Sequence, residues 1–370
     1  MNWGNEKQKN MKIQNLLEQY TFLKKPGPIV PYLPDTIDVD ISNRCNLKCI
    51  SCFHSIDKFR PMGDMSFETL TNILEQAQGN SSSITIGNHG EPLLHKDVFT
   101  IIQEVKKRGF FLNFITNGTL LKMKLAHQLL DVGVDRLVFS LDSVDPEHYR
   151  MIRRGARLEV TLRNILYFLK INHENKLNNY VNISMVDTDE ALKSDINIFD
   201  YFANLPVHIV YTSPLLNFHD MLPIREETKY FKKFQTIADK KGFPVCINGF
   251  DRLLIRPNGN ASLCGIDWDS IHILGNINEA SYMELWNNDK AQEFRRGLLT
   301  GNYSAIERNG FLCSKCDVKW SCNVETGLDN IASLFATDLQ DAKSNRNREL
   351  TKIEYYDHLL LEMDKLDNNK

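Results

Sequence analysis

The chain has 370 residues, 42% hydrophobic and 25% charged, with a formal net charge of −3. That balance excludes the basic excess of a nucleic-acid binder, and no Lys/Arg run stands out. Met1–Lys25 has no apolar stretch of signal-peptide length, and no run of about 18 apolar residues could span a membrane, so a soluble cytoplasmic protein with no nucleic-acid or membrane partner is expected.

An amphipathic segment, Met11–Leu23, is followed by a Pro-rich stretch through Pro34 that reads as an extended lead-in. Strand and helix patterns then alternate. Thr36–Ile41 is apolar at alternate positions, Ser66–Gln78 has helical spacing with Ser66 as N-cap, and Ser83–Gly87 is a short strand. Lys96–Arg108 reads as helix, Phe111–Thr116 as strand, Leu120–Asp131 as helix and Arg136–Leu141 as buried strand. Helical patterns follow at Pro146–Arg154 and Val160–Ile171, then strands Tyr180–Val186 and Val207–Tyr211 around a helix at Ala191–Phe202. These six strand–helix units predict a parallel α/β fold, a partial (β/α)6 TIM-type barrel. The pattern then changes. Arg252–Arg256 and Ala261–Leu263 flank Pro257-Asn258-Gly259-Asn260, a hairpin signal, and a helix is expected over Ser281–Leu298, before a cysteine-bearing loop. The expected divisions are 1–35 (lead-in), 36–225 (barrel), 240–330 (a small cysteine-rich β-hairpin/helix domain) and 331–370 (a polar helical tail from Leu328 onward).

The eight cysteines fall into two groups, Cys45, Cys49 and Cys52 near one end and Cys246, Cys264, Cys313, Cys316 and Cys322 near the other. A chain of this length needs no disulfide stapling, so tight groups in a reducing compartment read as metal or iron–sulfur ligands. The first group follows the first strand at its C-terminal end, the chemical face of parallel barrels. A closed zinc site takes four ligands, and only His54, two residues after Cys52, is nearby as a fourth. A cubane held by three thiolates leaves one iron open.

Cys45-x-x-x-Cys49-x-x-Cys52 after the first strand resembles the signature of radical S-adenosylmethionine (SAM) enzymes, with Ser51 where that family usually has an aromatic or apolar residue. Gly87-Asn88-His89-Gly90-Glu91-Pro92 resembles the family's GGEP motif, His89 replacing its first glycine. The resemblance implies that Gly90, Glu91 and Pro92 hold the SAM amino group and that Thr116 and Asn117 line the site. It further implies that Ser140 and Asp142 reach the SAM carboxylate or ribose and that Arg153 partners the carboxylate. No side chain is singled out as catalytic.

Cys246, twelve residues, Gly259, four residues, Cys264 is similar to the opening of that family's SPASM/twitch extension. Leu274-Gly275-Asn276-Ile277 and Glu284-Leu285-Trp286-Asn287 resemble its middle, and Cys313-x-x-Cys316 its close. The implied ligands of one auxiliary [4Fe–4S] cluster are Cys246, Cys264, Cys313 and Cys316. Cys322 fits the third position of the longer SPASM pattern, but position 326 is Thr and no later Cys follows; Cys322 is an alternative ligand, a free thiol or part of an incomplete second cluster.

The expected function is reductive SAM cleavage at the first [4Fe–4S] cluster and hydrogen abstraction from a small molecule or peptide, which is oxidised or otherwise modified, with a flavodoxin or ferredoxin as electron donor; the auxiliary cluster accepts an electron from the substrate radical, relays charge or holds the second domain together. Two alternatives are a redox-neutral epimerase with a thiol donor and a non-catalytic iron–sulfur protein. The brevity of the stretch before the barrel points to a small molecule, or to a peptide delivered by a separate protein.

Overall fold

Alternating strands and helices build one long sheet in the computed structural model, which describes residues 6–56, 63–176, 179–215, 244–268, 270–307, 313–316, 323–325 and 328. After helix α1 (Glu6–Leu23), the chain runs β1 (Thr36–Val39), α2 (Phe67–Ala77), β2 (Ser83–Ile86), α3 (Val98–Lys107), β3 (Phe111–Thr116) and α4 (Met123–Asp131). It continues through β4 (Arg136–Ser140), α5 (Pro146–Ile152), α6 (Leu158–Glu174), β5 (Tyr180–Asp187), α7 (Asp189–Leu192), α8 (Ile198–Phe202) and β6 (Ile209–Pro214). Then come α9 (Asn248–Asp251), β7 (Arg252–Ile255), β8 (Asn260–Ser262), β9 (Gly275–Asn276), α10 (Tyr282–Asn287) and α11 (Asp289–Thr300).

The strand order is β6-β5-β4-β3-β2-β1-β7-β8-β9. Neighbours from β6 to β1 are parallel, as expected of a (β/α)6 partial barrel, and β6 ends the sheet rather than pairing back onto β1. The β7–β8 hairpin is antiparallel within itself, but β7 pairs in parallel with β1. The auxiliary hairpin therefore extends the barrel sheet. Ile37, Val39, Ile84, Ile86, Leu112 and Phe114 are buried because helices cover the outer face of the parallel strands.

Two expected helices are each split. In place of one helix over Ala191–Phe202, α7 and α8 are separately capped, Thr188 Oγ1 accepting from Ala191 N and Asn197 Oδ1 from Phe199 N. Likewise, Ser281–Leu298 breaks at Asn288, whose extended backbone (ψ 172°) ends α10 while its side chain accepts from Ala291 N. Polar side chains that bond nearby backbone compete with helix continuation, and apolar periodicity does not register that competition.

The Pro-rich lead-in is strapped to the C-terminal helices. Val30 N donates to Asn287 Oδ1 at 2.9 Å, Asn287 Nδ2 returns a bond to Val30 O, and Trp286 Nε1 donates to Tyr32 O at 2.7 Å. Arg295, fully buried, donates to Gly249 O and Pro28 O while its guanidinium lies 4.3 Å over the Trp286 ring. Among the described residues no helix is long and apolar enough to cross a membrane. Residues 331–370, expected as a polar helical tail, lie outside the described residues.

Trp286 anchors this strap with no exposed surface. Trp286→Ala should lower unfolding stability by about 3–5 kcal/mol in denaturant titration, and Trp286→Phe by clearly less. Equal losses in the two variants would show that packing volume contributes little there.

Candidate active site

The C-terminal ends of β1 to β4 carry the residues singled out by the sequence, and the parallel register brings their loops to one mouth. Ile37 pairs with Ile84 on β2, Ile84 with Leu112 on β3, and Phe114 with Leu137 on β4. The cysteine loop after β1 is fastened across that mouth. Lys48 N donates to Arg154 O and Ile50 N to Ile152 O, both at 3.0 Å, tying the loop to the end of α5.

The loop after β2 packs directly onto it. Glu91 N donates to Arg44 O at 2.8 Å. A Cβ on Gly90 would meet Ser42 O at 2.5 Å and Arg44 O at 2.7 Å, so only glycine permits the approach. Gly87 has φ +108°, and a Cβ there would lie 2.2 Å from Ile115 O. Glu91 is buried, and its carboxylate accepts from Leu93 N, Thr116 Oγ1 and Asn117 N at 3.1, 2.8 and 2.8 Å. Burial nevertheless pushes its pKa up to about 7, these three bonds opposing the rise. Asn117 Nδ2 bonds Asn46 Oδ1 and lies 3.9 Å from Cys45 Sγ, which joins the third strand end to the cysteine loop.

At the end of β4, Asp142 takes φ +71°, a left-handed conformation rare for a residue with a side chain. Its surroundings hold it there: Oδ1 accepts from Val186 N at 2.8 Å, and Oδ2 forms an ion pair with Arg153 Nε at 2.6 Å. Arg153 caps the C-terminus of α5 instead of lying within the helix, and it also hydrogen-bonds Cys49. Burial alone would lower its pKa, but Asp142 and Cys49 outweigh burial and hold it above the ordinary arginine range. Ser140 lies nearby, its Oγ 3.4 Å from Ser184 Oγ. Gly90, Glu91, Thr116, Asn117, Asp142 and Arg153 thus gather round the cysteine loop; Pro92 opens the turn after Glu91, and Ser140 bonds toward β5.

Cys45, Cys49 and Cys52 are free thiols. Burial pushes Cys45 up to about 11 and Cys52 up to about 12. Protonated thiols in such a site gain most from a bound cation, because ligation replaces the proton. Among the described residues no three His, Cys, Asp or Glu side chains converge as they would round one metal ion. Three thiols on one short loop are the donor chemistry that an iron–sulfur cluster takes. His54 turns elsewhere, its Nε2 lying 3.1 Å from His89 O and its ring stacked on Phe53.

The second cysteine group shares one buried neighbourhood. Burial and then Asp267, Cys313 and Cys246 raise Cys264 well above the ordinary thiol range. Tyr303 is pushed up to about 12 by burial and by Cys313, Cys246 and Cys316. Cys313 and Cys316 share a single 3₁₀ turn, and Cys246 forms a bridge to Asn323. Cys322 lies outside the described residues.

A second polar group was not apparent from sequence. Asp40, buried one residue past β1, accepts from His89 N at 3.2 Å and pairs with His89 Nδ1 at 2.8 Å and Arg256 Nη1 at 3.0 Å. Burial pushes Asp40 up, but His89 and Arg256 more than reverse this and hold it below the usual carboxylate range. Its only sequence signal was the alternation of Asp38 and Asp40 in an apolar strand.

The family model for the radical SAM superfamily matches residues 39–195, and that for the SPASM iron–sulfur cluster-binding domain matches residues 246–317. The chain is 27% identical over 333 residues to the tungsten-containing aldehyde ferredoxin oxidoreductase cofactor-modifying protein of Pyrococcus furiosus, covering 77% of this chain and 88% of that protein. Streptococcus suis SuiB bound to its precursor peptide SuiA shares the fold, with TM-score 0.59 at 17% identity over 76% of this chain and 71% of SuiB. BtrN in complex with AdoMet and 2-DOIA does so with TM-score 0.52 at 20% identity over 77% of this chain and 93% of BtrN. The two matched domains, in the order and at the loops described, make this chain a member of the radical SAM superfamily with a C-terminal SPASM domain, whose cofactors are a SAM-binding [4Fe–4S] cluster, an auxiliary iron–sulfur centre and SAM itself.

Proposed function

We propose that this chain is a SAM-cleaving radical enzyme that oxidises a small molecule or a peptide, drawing electrons from a flavodoxin- or ferredoxin-type donor. The observation that carries the reading is the buried Glu91 carboxyl, held by Thr116 and Asn117 beside Cys45, where an amino group and a three-thiolate cluster would meet. In this reading Cys45, Cys49 and Cys52 ligate the first cluster and leave one iron open, while Cys246, Cys264, Cys313 and Cys316 close the auxiliary one. A cluster held by Cys45, Cys49 and Cys52 would supply the electron for reductive cleavage of SAM, and with it the radical chemistry that hydrogen abstraction requires.

The chain's own residues bind and orient. Glu91 receives the SAM ammonium, Gly90 lets the loop approach the cysteine backbone, and Pro92 fixes the turn that follows. Arg153, steadied by Asp142, offers its guanidinium to the SAM carboxylate, and Ser140 lies within the same mouth. Both substrate classes have support among structures of the same fold, since SuiB is bound to a precursor peptide and BtrN to 2-DOIA.

Two outcomes test this. Replacing any one of Cys45, Cys49 and Cys52 by Ala should abolish 5′-deoxyadenosine formation with dithionite, while iron falls from about eight to about four per chain. Retained cleavage in any of these variants overturns the assignment. The second concerns pH. The neutral form of Glu91 is favoured below about 7, yet an ammonium ligand needs the anion. SAM affinity should therefore weaken as pH falls from about 8 to about 6, by up to roughly tenfold per unit below the pKa. Glu91→Gln should bind SAM more weakly at the higher pH and lose this slope in calorimetric titration; an unchanged slope removes Glu91 from the site.

A further inference from the structure

The first cysteine loop and the auxiliary hairpin meet through an aromatic contact. Phe53 follows Cys52 directly, and Trp268 stands four residues after Cys264. Both are buried, and their rings stack nearly parallel, 9° apart, with centroids 5.9 Å from each other. Cys52 packs against the same pair. On the other side a tight turn, with Asp267 N donating to Cys264 O, carries the chain from the cysteine to the tryptophan.

This stack is clamped. Arg256, 1% exposed, places one end of its guanidinium on Asp40 and donates from the other to the carbonyl of Asp267, the residue before Trp268. Asp40 in turn holds His89, whose ring lies 5.3 Å from that of Phe53. The Asp267 carboxylate accepts from Ser262 Oγ, Ile271 N and His272 N, which fixes the turn from below. Burying an ion pair is unfavourable unless its geometry is well satisfied, and an apolar seam between two domains does not require one. What the clamp secures is the near-parallel stack of the two rings between the cysteine loops. Electron tunnelling falls steeply with the gap to be crossed, and rings in contact shorten that gap.

We propose that the Phe53–Trp268 stack relays electrons between the first cluster, on its Cys52 side, and the auxiliary cluster, on its Cys264 side, with Asp40 and Arg256 as positioning residues. The proposal rests on the ligand assignment given above. One electron leaves the reduced auxiliary cluster and enters the oxidised first cluster; no atom or proton moves, and the rings are unchanged afterwards. The reverse transfer uses the same path, and the two cluster potentials set the direction.

The test uses the full chain, reconstituted anaerobically, as wild type, Trp268→Phe, Trp268→Leu and Phe53→Leu. Each is given one electron per chain by a fast chemical reductant, and the redistribution of spin between the clusters is followed by freeze-quench EPR. Iron content and both midpoint potentials are measured alongside. Leucine fills the space without a π system, so both leucine variants should redistribute about tenfold more slowly at unchanged iron and potentials, while Trp268→Phe stays close to wild type. An equal rate in the leucine variants, or no redistribution in the wild type, overturns the relay. About four irons and a single cluster signal in the wild type would instead overturn the auxiliary ligand assignment.

Discussion

Strand β1 is hydrogen-bonded in parallel on both edges, and the rest of the molecule is set by that pairing. Thr36 lies opposite Ser83 on β2 and Arg252 on β7, so Val39 is level with both Ile86 and Ile255. Three strands therefore end at one height. The residues just beyond them, Asp40, the Gly87–Glu91 loop and Arg256, meet as a consequence of register. A slip of one residue would turn every side chain to the opposite face and separate these groups. The same register lets an antiparallel hairpin from the C-terminal part of the chain continue the barrel sheet, so the two cysteine groups are positioned by one continuous hydrogen-bonded framework.

Buried charge at this shared edge is extensive, and each case has a local compensation. Asp142 and Arg153 pair with each other, Asp40 is shared by His89 and Arg256, and Glu91 receives three donors that oppose the rise burial imposes on its carboxyl. Isolated charges in such places would be strongly unfavourable, and pairs satisfied in this way are at best close to neutral for stability. Their persistence is better explained by what they fix. The Asp142 backbone is held in a left-handed conformation, the guanidinium of Arg153 is held against Cys49, and the Asp267–Trp268 turn is held against the barrel. The surrounding hydrophobic core, with Phe114, Phe139 and Leu141 fully buried beneath the strand ends, supplies the rigidity these arrangements need.

Much of this architecture was legible from the sequence because its signals are local. Alternation placed β3 over Phe111–Thr116 without adjustment, and Ser66 was recognisable as an N-cap from the helical pattern that follows it. The cysteine spacings and the Gly-rich turn before Glu91 were readable for a similar reason, since a few consecutive residues must wrap one centre. Helix continuity was misjudged between Leu192 and Asn197 and at Asn288. There, single polar side chains bond the backbone and end a helix that apolar spacing alone would carry on.

The sequence by itself determined the alternation of strands and helices, the two cysteine groups and the strand-end loops that bear Glu91 and Asp142, because each is specified within a handful of neighbouring residues. It carried no sign that Pro28–Tyr32 would bind along Trp286, Asn287 and Arg295, or that Asp40 would share one carboxylate between His89 and Arg256. Nor did it show that Phe53 would stack on Trp268. These partners stand roughly 50 to 270 positions apart in the chain, a separation over which periodicity and turn chemistry hold no information. Only the extension of the sheet, with β7 laid against β1, decided which distant side chains would share a buried site and so had to satisfy one another.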